Sequence, residues 1–274
     1  VGTRLERNLF CGNFFRGYGH WLGRFVAPAE RLAGNITPMM RRVLLVLSGL
    51  ITMVTALLVG PAPHAAAASC PDVEVIFARG TAEDGAPMGL TGTSFVTAVR
   101  SQLPGKSVVG YPVDYPASAN FNNRMAIINS VLDGVRDSQS RITALARNCP
   151  NTDIVVGGYS QGAVVASYTL SSGIELEPRY QQYTSQVPKP LPTAVAPKIK
   201  AAVLFAPPSD RWIQDIGAPS IAVGPQYRGR TTSYCIAGDV VCDGAPVQQP
   251  NALHVLYSVN GDTLDAARYV AARV

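Results

Sequence analysis

Only three histidines, His20, His64 and His254, occur in 274 residues. Zinc sites in proteins draw on several imidazoles and thiolates at close spacing. No such constellation is recognisable, so no metal is expected. The chain also lacks G-x-x-x-x-G-K-[ST], and no G-x-G-x-x-G follows a strand-like segment, which excludes the familiar phosphate and dinucleotide cradles and leaves no cofactor to expect. Charged residues make up 15% of the chain against 47% hydrophobic. That balance excludes a solvated, disordered polymer and describes a chain that collapses around a core.

What is present begins with a segment to set aside. Residues 39–68 open with Arg41 and Arg42, run through 18 uncharged residues from Val43 to Gly60, and leave through Ala65 to Ala68. This is the layout of a secretory signal peptide cut near Ala68. A retained anchor is the alternative, since 18 residues sit at the short edge of a membrane span; the alanine-rich exit favours cleavage, with no stable span afterwards. Residues 1–38 precede this leader and show no helix or strand period. They read either as translation from a start upstream of Met39 or Met40, or as an unusual extension. Seven of the 23 basic residues but only two of the 18 acidic ones lie in 1–68. The remainder carries 16 of each sign and is formally neutral. The electrostatic footprint of a nucleic-acid binder is therefore missing, and no nucleic-acid partner is expected.

Five cysteines reduce to four when Cys11 drops out with the leader: Cys70, Cys149, Cys235 and Cys242. An even number in a chain bound for an oxidising space reads as disulfides, with three pairings open. Proximity favours Cys235 with Cys242, a small loop worth roughly 2–3 kcal/mol by chain entropy. Cys70 and Cys149 would then pair with each other.

Residues 69–274 read as one α/β domain. Apolar, β-branched runs at 72–78, 107–113, 152–158, 199–206 and 231–235 predict strands. Helical spacing appears at Thr91–Leu103, at Met125–Ala146 as one helix or two joined, at Gly162–Leu170, and at Asp262–Val274 with Leu264, Ala267 and Val270 on the apolar side. Alternation of this kind implies a parallel sheet covered on both faces. The proline-rich stretch Ser171–Pro197 reads as an irregular loop and a candidate wall of a substrate cleft.

Gly158-Tyr159-Ser160-Gln161-Gly162 matches G-x-S-x-G. It follows an apolar strand and opens an apolar helix, the context in which a sharp turn exposes a nucleophilic hydroxyl. A serine needs a base, and within 69–274 His254 is the only imidazole. A carboxylate between Ser160 and His254 completes the order Ser…Asp…His. Asp239, inside the loop Cys235–Cys242, is the leading candidate, and Asp243 the runner-up. The backbone N–H of Gln161, at the start of the helix, suits a developing oxyanion. A second donor is expected from Arg79-Gly80-Thr81-Ala82-Glu83, with Thr81 favoured.

These residues, with Cys70-Pro-Asp, Phe77-Ala-Arg-Gly-Thr81, Tyr115-Pro-Ala, Gly157 to Gly162, the Cys235…Asp239…Cys242 loop and His254, make the chain resemble the cutinase family of secreted α/β-hydrolases. It is especially similar to cutinase-like esterases of actinobacteria and mycobacteria. The resemblance implies a three-layer sandwich around a central five-stranded parallel sheet and the triad Ser160, Asp239, His254. It further implies disulfides Cys70–Cys149 and Cys235–Cys242, and an oxyanion hole of Thr81 and Gln161. Relatives of this kind lack a large lid and act on short- to medium-chain esters, polyesters, triacylglycerols or phospholipids; a related group deacetylates xylan. A secreted or cell-wall-associated monomer acting on an ester or lipid, polymeric substrates included, is expected. The rival readings are a peptidase with the same triad and a catalytically idle secreted binding protein. The segment 171–200 looks longer than in compact cutinases. Peptide mapping of the unprocessed chain is expected to start at Met39 or Met40; recovery of peptides from residues 1–38 would overturn the late start.

Overall fold

The structure, a computed structural model, describes residues 70–274 together with residues 38 and 39. Apart from those two, the expected leader and the extension before it, with Cys11, His20 and His64, lie outside the described residues. Five strands form one sheet: β1 (Val73–Ala78), β2 (Val108–Pro112), β3 (Asp153–Tyr159), β4 (Ile199–Phe205) and β5 (Thr231–Tyr234), in the order β2-β1-β3-β4-β5. Every pairing is parallel. All six residues of β1 are buried, as befits a central strand of a sheet covered on both sides.

Period-two alternation divides the core. Ile76 and Ala78 of β1 face one cluster, with Val131, Val135, Ile142 and Leu145 of α2 (Arg124–Asn148) and Ala163 to Ala166 of α3 (Gln161–Thr169). Val73, Val75 and Phe77 face the other, with Phe95, Val96 and Val99 of α1 (Gly89–Gln102). Two short helices, α4 (Asp210–Asp215) and α5 (Pro225–Arg228), follow β4, and α6 (Asp262–Ala271) ends the chain. Ala266, Ala267 and Val270 of α6 join the second cluster. This is the α/β-hydrolase sandwich expected.

One open alternative is decided and two expectations need adjusting. The long helical pattern after β2 is one unbroken helix of 25 residues, capped by Asn123, whose side chain accepts from the Ala126 N–H. Leu264 does not belong to the buried face of α6: it is 38% exposed, because the contact with the sheet runs through Thr263, Ala266, Ala267 and Val270. The proline-rich stretch is not irregular throughout. It contains 3-10 helices at Pro178–Gln186 and Thr193–Lys198, whose tight turns tolerate proline at their starts.

Both disulfides are formed, Cys70–Cys149 and Cys235–Cys242. The first ties the approach to β1 to the end of α2. Nearby, Glu74 of β1 is fully buried and meets Arg141 of α2 through two bonds, at 2.5 and 2.6 Å. Arg141 also lies over the Tyr111 ring. A carboxylate without water needs this cation. Arg141→Ala is expected to lower unfolding free energy by about 3 kcal/mol, the low end for a broken buried pair because the arginine is partly exposed. Denaturant unfolding measures it, and Glu74→Gln combined with Arg141→Met should recover most of the loss.

Candidate active site

The site is assembled past the carboxyl ends of β1, β3 and β5. Between β3 and α3 the chain turns on Ser160 alone, with φ 54° and ψ −115°, a conformation most side chains avoid. The glycines make the turn possible by having no side chain. A Cβ at Gly158 would fall 2.0 Å from the Gly162 carbonyl oxygen, and one at Gly162 would fall 2.0 Å from that of Ala78. The Ser160 N–H is tied back to the Phe205 carbonyl at 2.9 Å. The hydroxyl is thereby held out at the edge of the sheet.

His254 sits on a 3-10 turn, Ala252–Val255, and is buried. Its Nε2 lies 2.9 Å from Ser160 Oγ, and its Nδ1 lies 2.9 Å from Asp239 Oδ2 and 3.1 Å from Oδ1. The three residues, separated by 94 and 15 positions, meet as one continuous chain of hydrogen bonds. Asp239 has no exposed surface. Asp243 is exposed and accepts from the Ala245 N–H; it takes no part.

Asp239 stands on a turn closed by the Cys235–Cys242 bond. Val241 N–H donates to Oδ1 at 3.1 Å and the Tyr257 hydroxyl to Oδ2 at 2.7 Å. Asn251, three residues before His254, donates from Nδ2 to the Gly238 carbonyl at 2.7 Å and so joins the two loops. The Tyr159 hydroxyl donates to the His254 carbonyl, and the two rings lie 5.2 Å apart. Burial pushes the Asp239 carboxyl up, but the bonds from His254 and Tyr257, the His254 charge and the Val241 N–H outweigh it and hold it below its ordinary 3.8.

The two residues expected as oxyanion donors are Gln161, directly after Ser160, and Thr81, on the loop after β1. The Gln161 N–H, in the first turn of α3, has no acceptor within the helix. Its side chain is pinned, Oε1 accepting from Ser130 and Nε2 donating to the Ser118 carbonyl, both at 3.2 Å. Ala78 pairs with Gly158 across the sheet, and Thr81 follows three residues on, in the loop that leaves β1. Its loop is held on several sides. The Glu83 carboxylate accepts from Gly80 N–H and Thr91 N–H, each at 2.8 Å. Ala82 N–H donates to the Ala117 carbonyl, the Tyr115 hydroxyl to that of Arg79, and the Arg79 guanidinium to those of Pro87 and Pro116.

The Cutinase family model matches residues 69–274. The chain belongs to the cutinase family. The reaction class of this cutinase-family chain is accordingly carboxylic ester hydrolysis. Among its relatives is a probable carboxylesterase, Culp7 of Mycobacterium tuberculosis, 40% identical over 64% of this chain and 89% of the relative. Another is the phospholipase Culp4 of the same organism, 34% identical over 85% of this chain and 92% of the relative. The catalytic core of acetyl xylan esterase from Trichoderma reesei superposes with a TM-score of 0.58, over 75% of this chain and all of that one. At 22% identity that likeness concerns the fold.

Ser160, His254 and Asp239 of this cutinase-family chain thus come together, while several supporting residues were not anticipated: Tyr159, Tyr257 and Asn251, with Glu83 foreseen only as part of its loop. Tyr159 lies inside the G-x-S-x-G motif, which fixes only glycines and serine; Tyr257 lies three positions after His254. The stretch 171–197, expected as a cleft wall, makes contacts with α2. Its later portion runs along α2, where Arg136 donates to the Gln186 carbonyl and Gln139 to that of Lys189. The earlier 3-10 turn reaches the N-terminal end of α2, where Arg124 donates to the Tyr180 hydroxyl.

The lowered Asp239 carboxyl carries a pH signature. The unfolded chain takes up this proton first as pH falls, so ionised Asp239 stabilises the fold fully above about pH 5, and the contribution is lost as pH falls through 3.8 toward the folded value. Chemical denaturation of the parent and of Asp239→Asn across pH 3–7 is expected to show the acid dependence reduced in the variant. Parallel curves would contradict it.

Proposed function

We propose that residues 69–274 form a secreted serine esterase that cleaves carboxylic esters through an acyl-enzyme, after removal of residues 39–68 as a leader. Secretion or attachment at the cell wall is supported by the two disulfides, which persist in oxidising compartments. Among the described residues no helix is long and apolar enough to cross a membrane.

One observation carries the mechanism: the unbroken line from Asp239 through His254 to Ser160 Oγ. As the hydroxyl attacks the ester carbonyl, its proton passes to His254 Nε2 while the new C–O bond forms. Asp239 keeps the proton on Nδ1 and offsets the charge of the imidazolium. The N–H groups of Gln161 and Thr81 receive the oxyanion. Collapse of the tetrahedral species expels the alcohol, which takes the proton from His254. Water then attacks the acyl-enzyme by the same route, releasing the acid and restoring Ser160.

Val255 and Leu256 follow His254 directly and are exposed, as is Phe121, three residues from the Ser118 carbonyl that Gln161 holds. These exposed apolar groups, close in sequence to residues of the proposed site, favour an acyl chain over a charged or peptide substrate. Short- to medium-chain esters are therefore the expected substrates, with polyesters and lipids within reach. Phospholipid cleavage, the activity named for the relative Culp4, is a second reading that the same apolar groups support.

A panel of p-nitrophenyl esters from acetate to palmitate, run beside a polyester and a phospholipid, distinguishes these readings. Ser160→Ala is expected to fold and to lose at least about 10,000-fold in kcat, and a serine-reactive phosphonate should label the parent at Ser160 alone. An unlabelled parent would favour the idle binding protein; hydrolysis of peptides without esters would favour the peptidase. Wild-type turnover by Ser160→Ala removes the mechanism.

A further inference from the structure

We propose that Tyr257 is a positioning residue for this reaction: its phenol fixes the orientation of the Asp239 carboxylate and, through it, the imidazole of His254. The inference rests on the triad reading above and adds a residue to it.

A carboxylate turns easily about its Cβ–Cγ bond, where the torsion is broad and two-fold. In Asp239 that freedom is limited by donors. His254 Nδ1 reaches both oxygens, Val241 N–H holds Oδ1, and the Tyr257 hydroxyl holds Oδ2 at 2.7 Å. Oδ2 is also the oxygen nearer Nδ1. Val241 is only two residues from Asp239 and moves with the same turn. The phenol comes from outside that turn, so of the donors other than His254 it alone refers the carboxylate to the rest of the fold.

The phenol is itself fixed. Its oxygen accepts from the Ile236 N–H at 2.9 Å, just past β5. Its ring is fully buried against Tyr159 at 5.8 Å and edge-on to Phe205 and His254, each at 6.4 Å. The hydroxyl thus donates to Asp239 and accepts from Ile236, with the disulfide sulfur of Cys242 a weaker contact at 3.4 Å. Burial, first, and the bond to Asp239 keep this phenol protonated far above its ordinary range, so it stays a donor at any working pH. The titratable groups facing Asp239 are His254, Tyr257 and Tyr159, and Asp262 faces Tyr257.

A carboxylate that loses such a donor binds its proton more readily. Tyr257→Phe keeps the ring and deletes only the hydroxyl. It is expected to lower kcat on a p-nitrophenyl ester about 10-fold with KM within twofold, to slow phosphonate labelling of Ser160 by the same factor, and to move the acid limb of the kcat/KM profile to higher pH. A loss of stability alone would reduce the labelled fraction without moving that limb. In an Asp239→Asn background the same change should cost less than twofold, because the phenol acts through the carboxylate. Should Tyr257→Phe not fold, 3-fluorotyrosine at 257 supplies a stronger donor and should move the acid limb to lower pH. An unmoved limb, an unchanged kcat, or an equal loss in the Asp239→Asn background overturns the proposal. Ser160→Ala is run alongside: if it stays active, the triad reading has failed, whereas an inactive Ser160→Ala with an unaltered Tyr257→Phe condemns only the role of Tyr257.

Discussion

The whole arrangement depends on how closely α3 approaches β3 and β1. A methyl group on Gly158 would overlap the Gly162 carbonyl, and one on Gly162 the Ala78 carbonyl, each at 2.0 Å. Backbone atoms cannot swing aside as a long side chain can. That contact forces Ser160 into a positive φ, and the strain is borne because sheet bonds hold one side and helix bonds the other. From it follow the out-turned hydroxyl, the Gln161 N–H at the start of α3, and the place at which His254 stands.

The other two members of the site answer to that turn through loops that have little regular structure. Such loops would wander without cross-links, and a misplacement of about 1 Å can cost 100-fold in rate. Here each loop is referred to its neighbours. The Cys235–Cys242 bond closes the turn of Asp239, Asn251 ties it to the approach to His254, and the Tyr159 hydroxyl ties His254 back to the residue before Ser160. Glu83, accepting from Gly80 and Thr91 N–H groups, does the same for the loop of Thr81.

Much of this was legible in the residues. Parallel strands announce themselves as short apolar runs, and all five were found within a residue or two. His254 followed from the scarcity of imidazoles, and Asp239 from its place between paired cysteines. What escaped was of another kind. Tyr257 and Tyr159 sit among aromatic residues whose ordinary role is core packing, and only coordinates reveal that their hydroxyls reach Asp239 and the His254 carbonyl. Leu264 was assigned to a buried face because helical spacing fixes a stripe but not its edges. The 3-10 turns in 171–197 have no period long enough to stand out from a loop, and their placement is set by Arg136 and Gln139 on a helix 50 residues away in sequence.

Two carboxylates with no exposed surface sit at opposite ends of the sheet, and their surroundings separate support from chemistry. Glu74, near the start of β1, faces a permanent cation in Arg141. Its charge is matched by a fixed counter-charge held by two hydrogen bonds. Asp239, beyond the end of β5, has no arginine or lysine among the groups acting on it. Neutral donors and one imidazole hold it. A carboxylate so held is incompletely compensated while the imidazole is neutral, and on the proposed mechanism it becomes fully paired only when His254 takes a proton from Ser160. The electrostatic gain therefore arises in the transition state and not before it, which is the condition for an interaction to accelerate a reaction instead of merely stabilising a fold.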